Sequence, residues 1–229
     1  MTAELAREPL TRSAEDYLKV IYRLSLEGPA TTSHIAQALD LAPPSVTGMV
    51  KRLSEQGLLE HEPYKGVLLT TEGRRVALRI VRRHRLIEAY LVAFLGYAWD
   101  TVHEEAERLE HAVSDSLVER MATALGNPRF DPHGDPIPAP DGSMAELVYI
   151  PLPELALDRP AVVRRVNTGQ PDQLRYIASF GLKPGTEVTV VKREPFRGPL
   201  TVKVGAKQHV LGHEIAALLL CAPAEKARR

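Results

Sequence analysis

Apolar residues recur at helical spacing in three short segments near the start of the chain. The first segment, over 13–27, has Ser13 as a suitable N-cap and Gly28-Pro29 as its stop. A second helix begins at Thr31 or Thr32, and after a turn over 40–43 a third helix has Pro44 at its first position and ends at Gly57. The inward positions of the three helices are Tyr17, Leu18, Ile21, Ile35, Leu39, Val46, Val50 and Leu53.

Two short segments follow, over 58–62 and 67–70, and the sequence Pro63-Tyr64-Lys65-Gly66 separates them. This pattern predicts a β-hairpin with a basic tip. Two short helices joined by a tight turn and followed by such a hairpin are typical of a winged helix-turn-helix, whose second helix enters the major groove of DNA.

Two longer helices are predicted next. One runs over 71–95 and is broken by Gly96, and the other begins at Asp100 or Thr101 and extends to Leu125. The buried stripe of the second is Val102, Ala106, Leu109, Val113 and Leu117. Both helices are apolar on more than one side near their ends, which fits a dimer surface as well as it fits an ordinary intrachain core.

The remainder of the chain differs in composition from the helical part. Residues 127–160 are rich in proline and contain the turn signal Asp141-Gly142, which indicates a connector. Beyond it, β-prone runs over 161–167, 187–192, 200–204 and 218–221 alternate with helical pieces over 173–180 and 212–216. This part predicts a small β-barrel, so the fold class is mainly α with a small β domain.

Charge and composition narrow the functional classes. The chain has 229 residues and no net charge, with 29 Lys+Arg against 29 Asp+Glu, which by itself argues against nucleic-acid binding. However, arginines crowd 74–85 and carboxylates crowd 100–119, so a basic surface and an acidic pocket can coexist. One cysteine, no signal-peptide core and no apolar run of membrane-spanning length predict a cytoplasmic protein without a membrane partner.

The acidic stretch carries ligand-type side chains at helical spacing. His103, Glu107, Glu110 and His111 would share one face of a single helix, and His84 and Glu88 lie one turn apart on the preceding helix. Imidazole and carboxylate groups in this arrangement suit a divalent metal. The alternative is a solvated acidic face with two surface histidines, and the residues alone leave both interpretations open.

Enzyme motifs are incomplete in this chain. His213-Glu214 resembles the start of a zinc-protease motif, but Ala217 stands where the second histidine is needed. The sequence has no phosphate-binding glycine loop and no nucleophile elbow. These observations predict that the chain is not an enzyme and has no small-molecule substrate, although a metal-dependent hydrolase or a metal carrier remains the competing class.

Five motifs in order resemble the diphtheria toxin repressor family of iron- and manganese-dependent regulators. They are the sequences EDYLKVIY from Glu15, PSVT from Pro44, HRLIE from His84, HEEAERLEH from His103 and GDPIP from Gly134. The resemblance implies a winged helix-turn-helix over 1–75, a helical metal-binding and dimerisation domain over 76–140, a proline-rich linker over 141–160 and a Src-homology-3-like (FeoA-like) β-barrel over 161–226.

The resemblance also implies two metal sites. One consists of His84, Glu88 and His103, with Asp172 or Gln173 of the barrel as further candidates because Gln170 replaces a family glutamate. The other consists of Asp16, Glu107, Glu110 and His111. Iron-type members have methionine at the position of Asp16 and cysteine at that of Glu107, so oxygen in place of sulfur favours Mn²⁺, with Fe²⁺ as the alternative. Lys19 replaces a bridging glutamate of the manganese branch, which argues against a closely bridged metal pair.

For the partners, the resemblance implies double-stranded operator DNA bound by a homodimer that represses metal-uptake genes. Small and basic residues near the start of the recognition helix and at the wing suit base edges and phosphates. The candidate DNA contacts are Thr32, Ser33, Pro44, Ser45, Thr47, Gly48, Lys51, Arg52 and Lys65.

Overall fold

The computed structural model describes residues 10–26, 28–62, 66–145 and 147–224. They form two compact units. The first comprises the described residues up to Arg83 together with Pro138–Ser143, and the second comprises His84–Ile137 and the described residues from Met144 onward. Three of the four residues of the predicted wing tip, Pro63, Tyr64 and Lys65, lie outside the described residues.

Three helices open the first unit: α1 (Arg12–Ser25), α2 (Thr32–Leu39) and α3 (Pro43–Glu55). The predicted cap of α1 was wrong, because the side chain of Thr11, and not that of Ser13, accepts the N–H of Ala14. The Thr31 cap of α2 is confirmed by its hydrogen bond from the N–H of His34. Helix α3 begins one residue earlier than predicted, so Pro44 is its second residue.

The wing follows as the antiparallel pair β1 (Leu59–Glu62) and β2 (Gly66–Leu69). The N–H of Val67 in β2 also donates to the carbonyl of Ala30, just before α2. The apolar faces of α1, α2 and α3 are buried together with Val67, which gives the predicted winged helix-turn-helix.

Helix α4 (Thr71–Leu95) has the predicted bounds. The hydroxyl of Thr70 accepts the N–H of Gly73 and caps the helix. Gly73 lies against the start of the wing, where a Cβ atom would be 1.9 Å from the carbonyl oxygen of Leu58. This first turn therefore tolerates no side chain at position 73.

The single helix predicted up to Leu125 was wrong: the structure has two helices, α5 (Val102–Leu109) and α6 (Asp115–Ala124). The hydroxyl of Ser114 accepts the N–H of Leu117, so Ser114 is an N-cap that starts a new helix. Leu117, expected in the buried stripe, is 42% exposed. Glu110 is the C-cap residue of α5, and His111 lies in the turn that follows.

The C-terminal part of the second unit is a six-stranded antiparallel sheet with the helices α7 (Pro171–Ser179) and α8 (His213–Ala217). Its strands are β3 (Ile150–Pro151), β4 (Pro160–Val166), β5 (Glu187–Arg193), β6 (Leu200–Val204), β7 (Lys207–Leu211) and β8 (Leu219–Pro223), in the spatial order β3-β8-β4-β5-β6-β7. The sequence did not predict β3 or β7. Strand β7 has an edge position and mostly polar, solvent-facing residues, so it lacks an apolar signal.

The core of this sheet recruits residues from outside the predicted barrel. Leu152 and Leu155, within the stretch expected as a linker, are buried in it. Trp99, from the connection between α4 and α5, is buried in the same core, with the ammonium of Lys183 5.3 Å from its ring centroid. In the described part of the chain, no helix is both long enough and apolar enough to span a membrane.

Candidate metal centre and nucleic-acid interface

Helices α4 and α5 bring three of the predicted ligands together in the second unit. His84 and Glu88 lie one turn apart on α4, and His103 lies in the first turn of α5. His84 Nε2 is 3.0 Å from Glu88 Oε1 and 3.0 Å from His103 Nδ1, and His103 Nδ1 is 2.9 Å from the same carboxylate oxygen. Two imidazole nitrogens and one carboxylate oxygen therefore converge on one point.

The opposite nitrogen of His84 faces a second group. His84 Nδ1 is 2.5 Å from Glu110 Oε2 and 3.9 Å from Glu107 Oε1. Glu110 is fully buried, and its other oxygen is 3.3 Å from Nε2 of His111. His84 thus joins two groups of ligand-type side chains through its two ring nitrogens.

The prediction that the four ligand-type residues from His103 to His111 share one face of a single helix was therefore wrong, although their side chains do lie near one another. His103 and Glu107 are one turn apart on α5, whereas Glu110 and His111 reach the group from the end of the helix and the turn beyond it. His84, on α4, contacts both Glu88 and Glu110.

Burial and charge have opposing effects on the ionisation of this centre. Burial alone would lower the pKa of His84, but its hydrogen bonds to Glu110 and Glu88 and their charges outweigh burial and raise that pKa to about 9. Burial would likewise raise the pKa of Glu88, yet the bonds from His103 and His84 hold it below its usual value. At neutral pH in the metal-free centre, Glu88 is ionised and His84 is a positively charged imidazolium.

A further cluster was missed in the sequence. Glu88, Asp131 and His133 are all buried, and each offers a ligand atom within 4.8 Å of the others. His133 Nε2 lies 2.7 Å from the carbonyl oxygen of Trp99, which can only accept, so this nitrogen carries the proton and Nδ1 faces Glu88 Oε2 at 3.9 Å. Asp131 and His133 lie in the proline-rich stretch, where no periodic pattern marks them, although His133 directly precedes the motif that begins at Gly134.

The remaining predicted ligands lie on other helices. Asp16 is on α1, in the first unit. Asp172 forms an ion pair with Arg175 and belongs to none of the ligand-type clusters found among the described residues. The side-chain oxygen of Gln173 accepts a hydrogen bond from the hydroxyl of Thr168.

The donor set fits a divalent cation. Two donor atoms about 2.1 Å from one ion, and at right angles to each other, are separated by about 3 Å. The three separations among His84, Glu88 and His103 are 2.9 to 3.0 Å, and each donor can be deprotonated. Unprotonated nitrogen and carboxylate oxygen also suit the first-row divalent metals.

Helix α3 carries the candidate DNA contacts of the first unit. Its residues Pro44, Ser45, Thr47, Gly48, Lys51 and Arg52 are all exposed. The hydroxyl of Thr47 donates to the carbonyl of Pro43, and Lys51 forms an exposed ion pair with Glu55 at 3.9 Å. On α2, Ser33 is exposed and Thr32 is half-buried.

A winged helix-turn-helix together with a buried histidine and carboxylate centre defines a metal-dependent DNA-binding regulator. Three family models match the chain in succession. They are the iron dependent repressor N-terminal DNA binding domain over 9–67, the iron dependent repressor metal binding and dimerisation domain over 70–139, and the FeoA domain over 150–223.

The chain belongs to the diphtheria toxin repressor family and is a metal-dependent transcriptional repressor. It is 34% identical over 220 residues to the iron-dependent repressor IdeR of Mycobacterium leprae, covering 90% of this chain and 95% of that protein. The diphtheria toxin repressor of Corynebacterium glutamicum is 30% identical over 197 residues, covering 81% and 86% of the two chains. The structure of a manganese-dependent transcriptional repressor in complex with manganese is 38% identical, with a TM-score of 0.83 and coverages of 92% and 100%.

Membership confirms the predicted fold class: helical DNA-binding and dimerisation domains are followed by a small FeoA-type β-sheet domain. The family is a class of transcriptional repressors and not a class of enzymes.

Proposed function

We propose that this chain is a manganese-activated repressor that binds operator DNA as a homodimer in the cytoplasm and controls genes of metal uptake. The observation that carries the proposal of a metal centre is the convergence of the buried His84 and Glu88 with the partly exposed His103. The choice of manganese rests on Asp16 and Glu107, which replace the sulfur ligands of iron-type members. Hard carboxylate oxygen without sulfur favours Mn²⁺ over softer ions.

We assign one metal site to His84, Glu88 and His103, and Asp131 and His133 form a separate group of ligand-type side chains beside the other oxygen of Glu88. We assign a second site to Asp16, Glu107, Glu110 and His111, which follows the motifs of the family. We do not include Asp172 in the first site, because it belongs to none of the clusters of ligand-type side chains among the described residues.

When bound, a divalent cation supplies positive charge that offsets the repulsion among these carboxylates. Asp16 belongs to α1 of the DNA-binding part, whereas Glu107, Glu110 and His111 belong to the helical part. A shared site would therefore couple metal occupancy to the presentation of α3 to the major groove, where a dimer needs two recognition helices about 34 Å apart.

An exposed apolar surface supports the homodimer. Phe94 and Leu95, at the end of α4, are 54% and 60% exposed, and Tyr97 and Leu117 are exposed as well. Exposed large apolar side chains are enriched at interfaces between subunits.

The test is a mobility-shift assay with promoter DNA from the chain's own genome, under anaerobic conditions, with Mn²⁺ or Fe²⁺. We expect a shift that requires metal and is half-maximal at lower Mn²⁺ than Fe²⁺. The double variant Asp16→Met/Glu107→Cys restores the sulfur donors of iron-type members and should reverse this preference by about tenfold or more. A wild-type shift that needs no metal would refute metal activation, and a wild-type shift that is half-maximal at lower Fe²⁺ than Mn²⁺ would refute the assignment to manganese. An unchanged preference in the double variant would show that Asp16 and Glu107 do not determine the metal.

Proton release should accompany metal binding. The pKa of His84 is raised to about 9, so its proton must leave before the ring binds metal, and Mn²⁺ affinity should increase with pH up to about 9. The charged interactions of His84 stabilise the metal-free fold below about pH 6.5, the unfolded-state value, and are lost as pH rises through 9.

Calorimetric titration of Mn²⁺ at pH 7.5, in two buffers that differ in ionisation enthalpy, measures the number of protons released. We expect at least one proton per chain, and the same number for the exposed control variant His34→Gln. Binding without proton release would contradict a protonated His84 in the metal-free centre.

A further inference from the structure

The loop over 129–137 is internally braced. Asp131 Oδ1 accepts the N–H groups of His133 and Asp135 at 2.8 and 2.9 Å. The N–H of Ile137 donates to the carbonyl of Arg129 at 2.9 Å. These bonds link Asp131, His133 and Asp135 within one turn.

On one side the loop is held by Arg85 of α4, which lies one residue after the ligand-type His84. Its guanidinium donates to the carbonyl of Pro136 at 2.5 Å and to Asp135 Oδ1 at 3.2 Å, and it lies 3.7 Å from Asp131 Oδ2. The side chains of Arg85 and Asp135 are only 17% and 18% exposed, so water screens this ion pair weakly.

On the other side the loop is held by strand β4 of the C-terminal sheet. Asp135 Oδ1 also pairs with Arg165 at 2.8 Å, and the N–H of Val166 donates to the carbonyl of His133 at 2.9 Å. Gly134 has a φ of +87°, and a Cβ there would lie 1.9 Å from the carbonyl oxygen of Arg164, so the two backbones are in direct contact. One carboxylate oxygen of Asp135 therefore joins a cation of α4 to a cation of β4.

The same turn presents Asp131 and His133 to Glu88, whose other oxygen faces His84 and His103. We propose that Asp135 is a positioning residue of the metal centre and that the C-terminal domain acts on this centre through the Arg165–Asp135–Arg85 bridge, without donating a ligand. The proposal rests on the proposed metal-binding function. It gives the C-terminal domain a role that differs from the one predicted for Asp172 and Gln173.

The test uses the full chain and compares Arg165→Met and Asp135→Asn with two further variants. Arg165→Lys restores the positive charge, and Arg164→Met alters the exposed neighbour on the same strand. Calorimetry with Mn²⁺ should show affinity reduced about tenfold in Arg165→Met and Asp135→Asn, since partners of metal ligands contribute on this scale. Arg165→Lys should recover most of the loss, and Arg164→Met should match wild type.

Two readouts separate positioning from a merely structural effect. In metal-free protein, hydrogen exchange of residues 129–137 should accelerate in Arg165→Met while that of α6 stays unchanged. In a Glu88→Gln background, Arg165→Met should have no further effect on the remaining Mn²⁺ affinity, since the bridge would act through that carboxylate.

If wild type binds Mn²⁺ and Arg165→Met and Asp135→Asn bind it equally well, this inference is wrong and the proposed function stands. If wild type binds no Mn²⁺, the proposed function fails and the inference with it. Should Arg165→Met fail to fold, Asp135→Asn and Arg165→Lys decide the matter in the same assays.

Discussion

Substitution of Glu88 by glutamine is expected to remove the stabilisation that Mn²⁺ provides at the site of His84, Glu88 and His103. The carboxylate is 2% exposed and faces His84 and His103 with one oxygen and His133 with the other, so an amide of equal size removes the charge and keeps the volume. A ligand at 100 times its Kd stabilises a fold by about 2.7 kcal/mol, which raises Tm by about 5–10 °C in a chain of this size.

Thermal unfolding with and without Mn²⁺ measures this effect. Wild type should gain the full shift, and Glu88→Gln should gain at most about half of it at the same metal concentration. Glu104→Gln removes an exposed carboxylate from α5 and should behave as wild type. Equal Mn²⁺-induced shifts in Glu88→Gln and wild type would exclude Glu88 as a ligand.

Substitution of Gly73 by alanine is expected to destabilise the winged helix-turn-helix by about 3 kcal/mol, the upper part of the range for overpacking. The added Cβ would lie 1.9 Å from the carbonyl oxygen of Leu58 and 2.9 Å from its carbonyl carbon, so the wing and the first turn of α4 must separate. This separation also strains the hydrogen bond from the N–H of Thr70 to the carbonyl of Leu58.

The matched control is Gly48→Ala, in the middle of α3. A Cβ at this position has nothing within 4 Å, so alanine should stabilise the helix by about 0.5–1 kcal/mol. Chemical denaturation of both variants measures the two free energies of unfolding. Equal stability of Gly73→Ala and wild type would show that the close approach at Leu58 is relieved without cost.

The elements that the sequence predicted well have a regular apolar period or a strong stop signal. The α4 bounds followed from Thr71 and Gly96, and the pair His84 and Glu88 followed from spacing alone, because two residues four apart on a helix share a face. The break between α5 and α6 was not predicted, because Val113 and Leu117 continue the apolar period across it. Only the N-cap signal of Ser114 marked the boundary.

Irregular segments were harder to interpret, since their structure depends on contacts distant in sequence. Asp131 and His133 lie in a loop without a period, and their approach to Glu88 depends on the bonds of Asp131 to the loop and on the carbonyl of Trp99. The sequence likewise does not show which cation of a helix will lie beside which carboxylate of a loop. The contact between Arg85 and Asp135 is an example.

Trp99 limits how far this chain can be treated as a series of exchangeable modules. Its indole is part of the core beneath the FeoA-type sheet, its ring stacks on His133 at a centroid distance of 5.5 Å, and its carbonyl accepts from the same histidine. In a chimera joined near residue 140, the indole of Trp99 would lose the sheet that it packs against. The sheet of this chain, transferred to another family member, would lack Trp99. An exchange of C-terminal domains between family members therefore has to include the connection between α4 and α5.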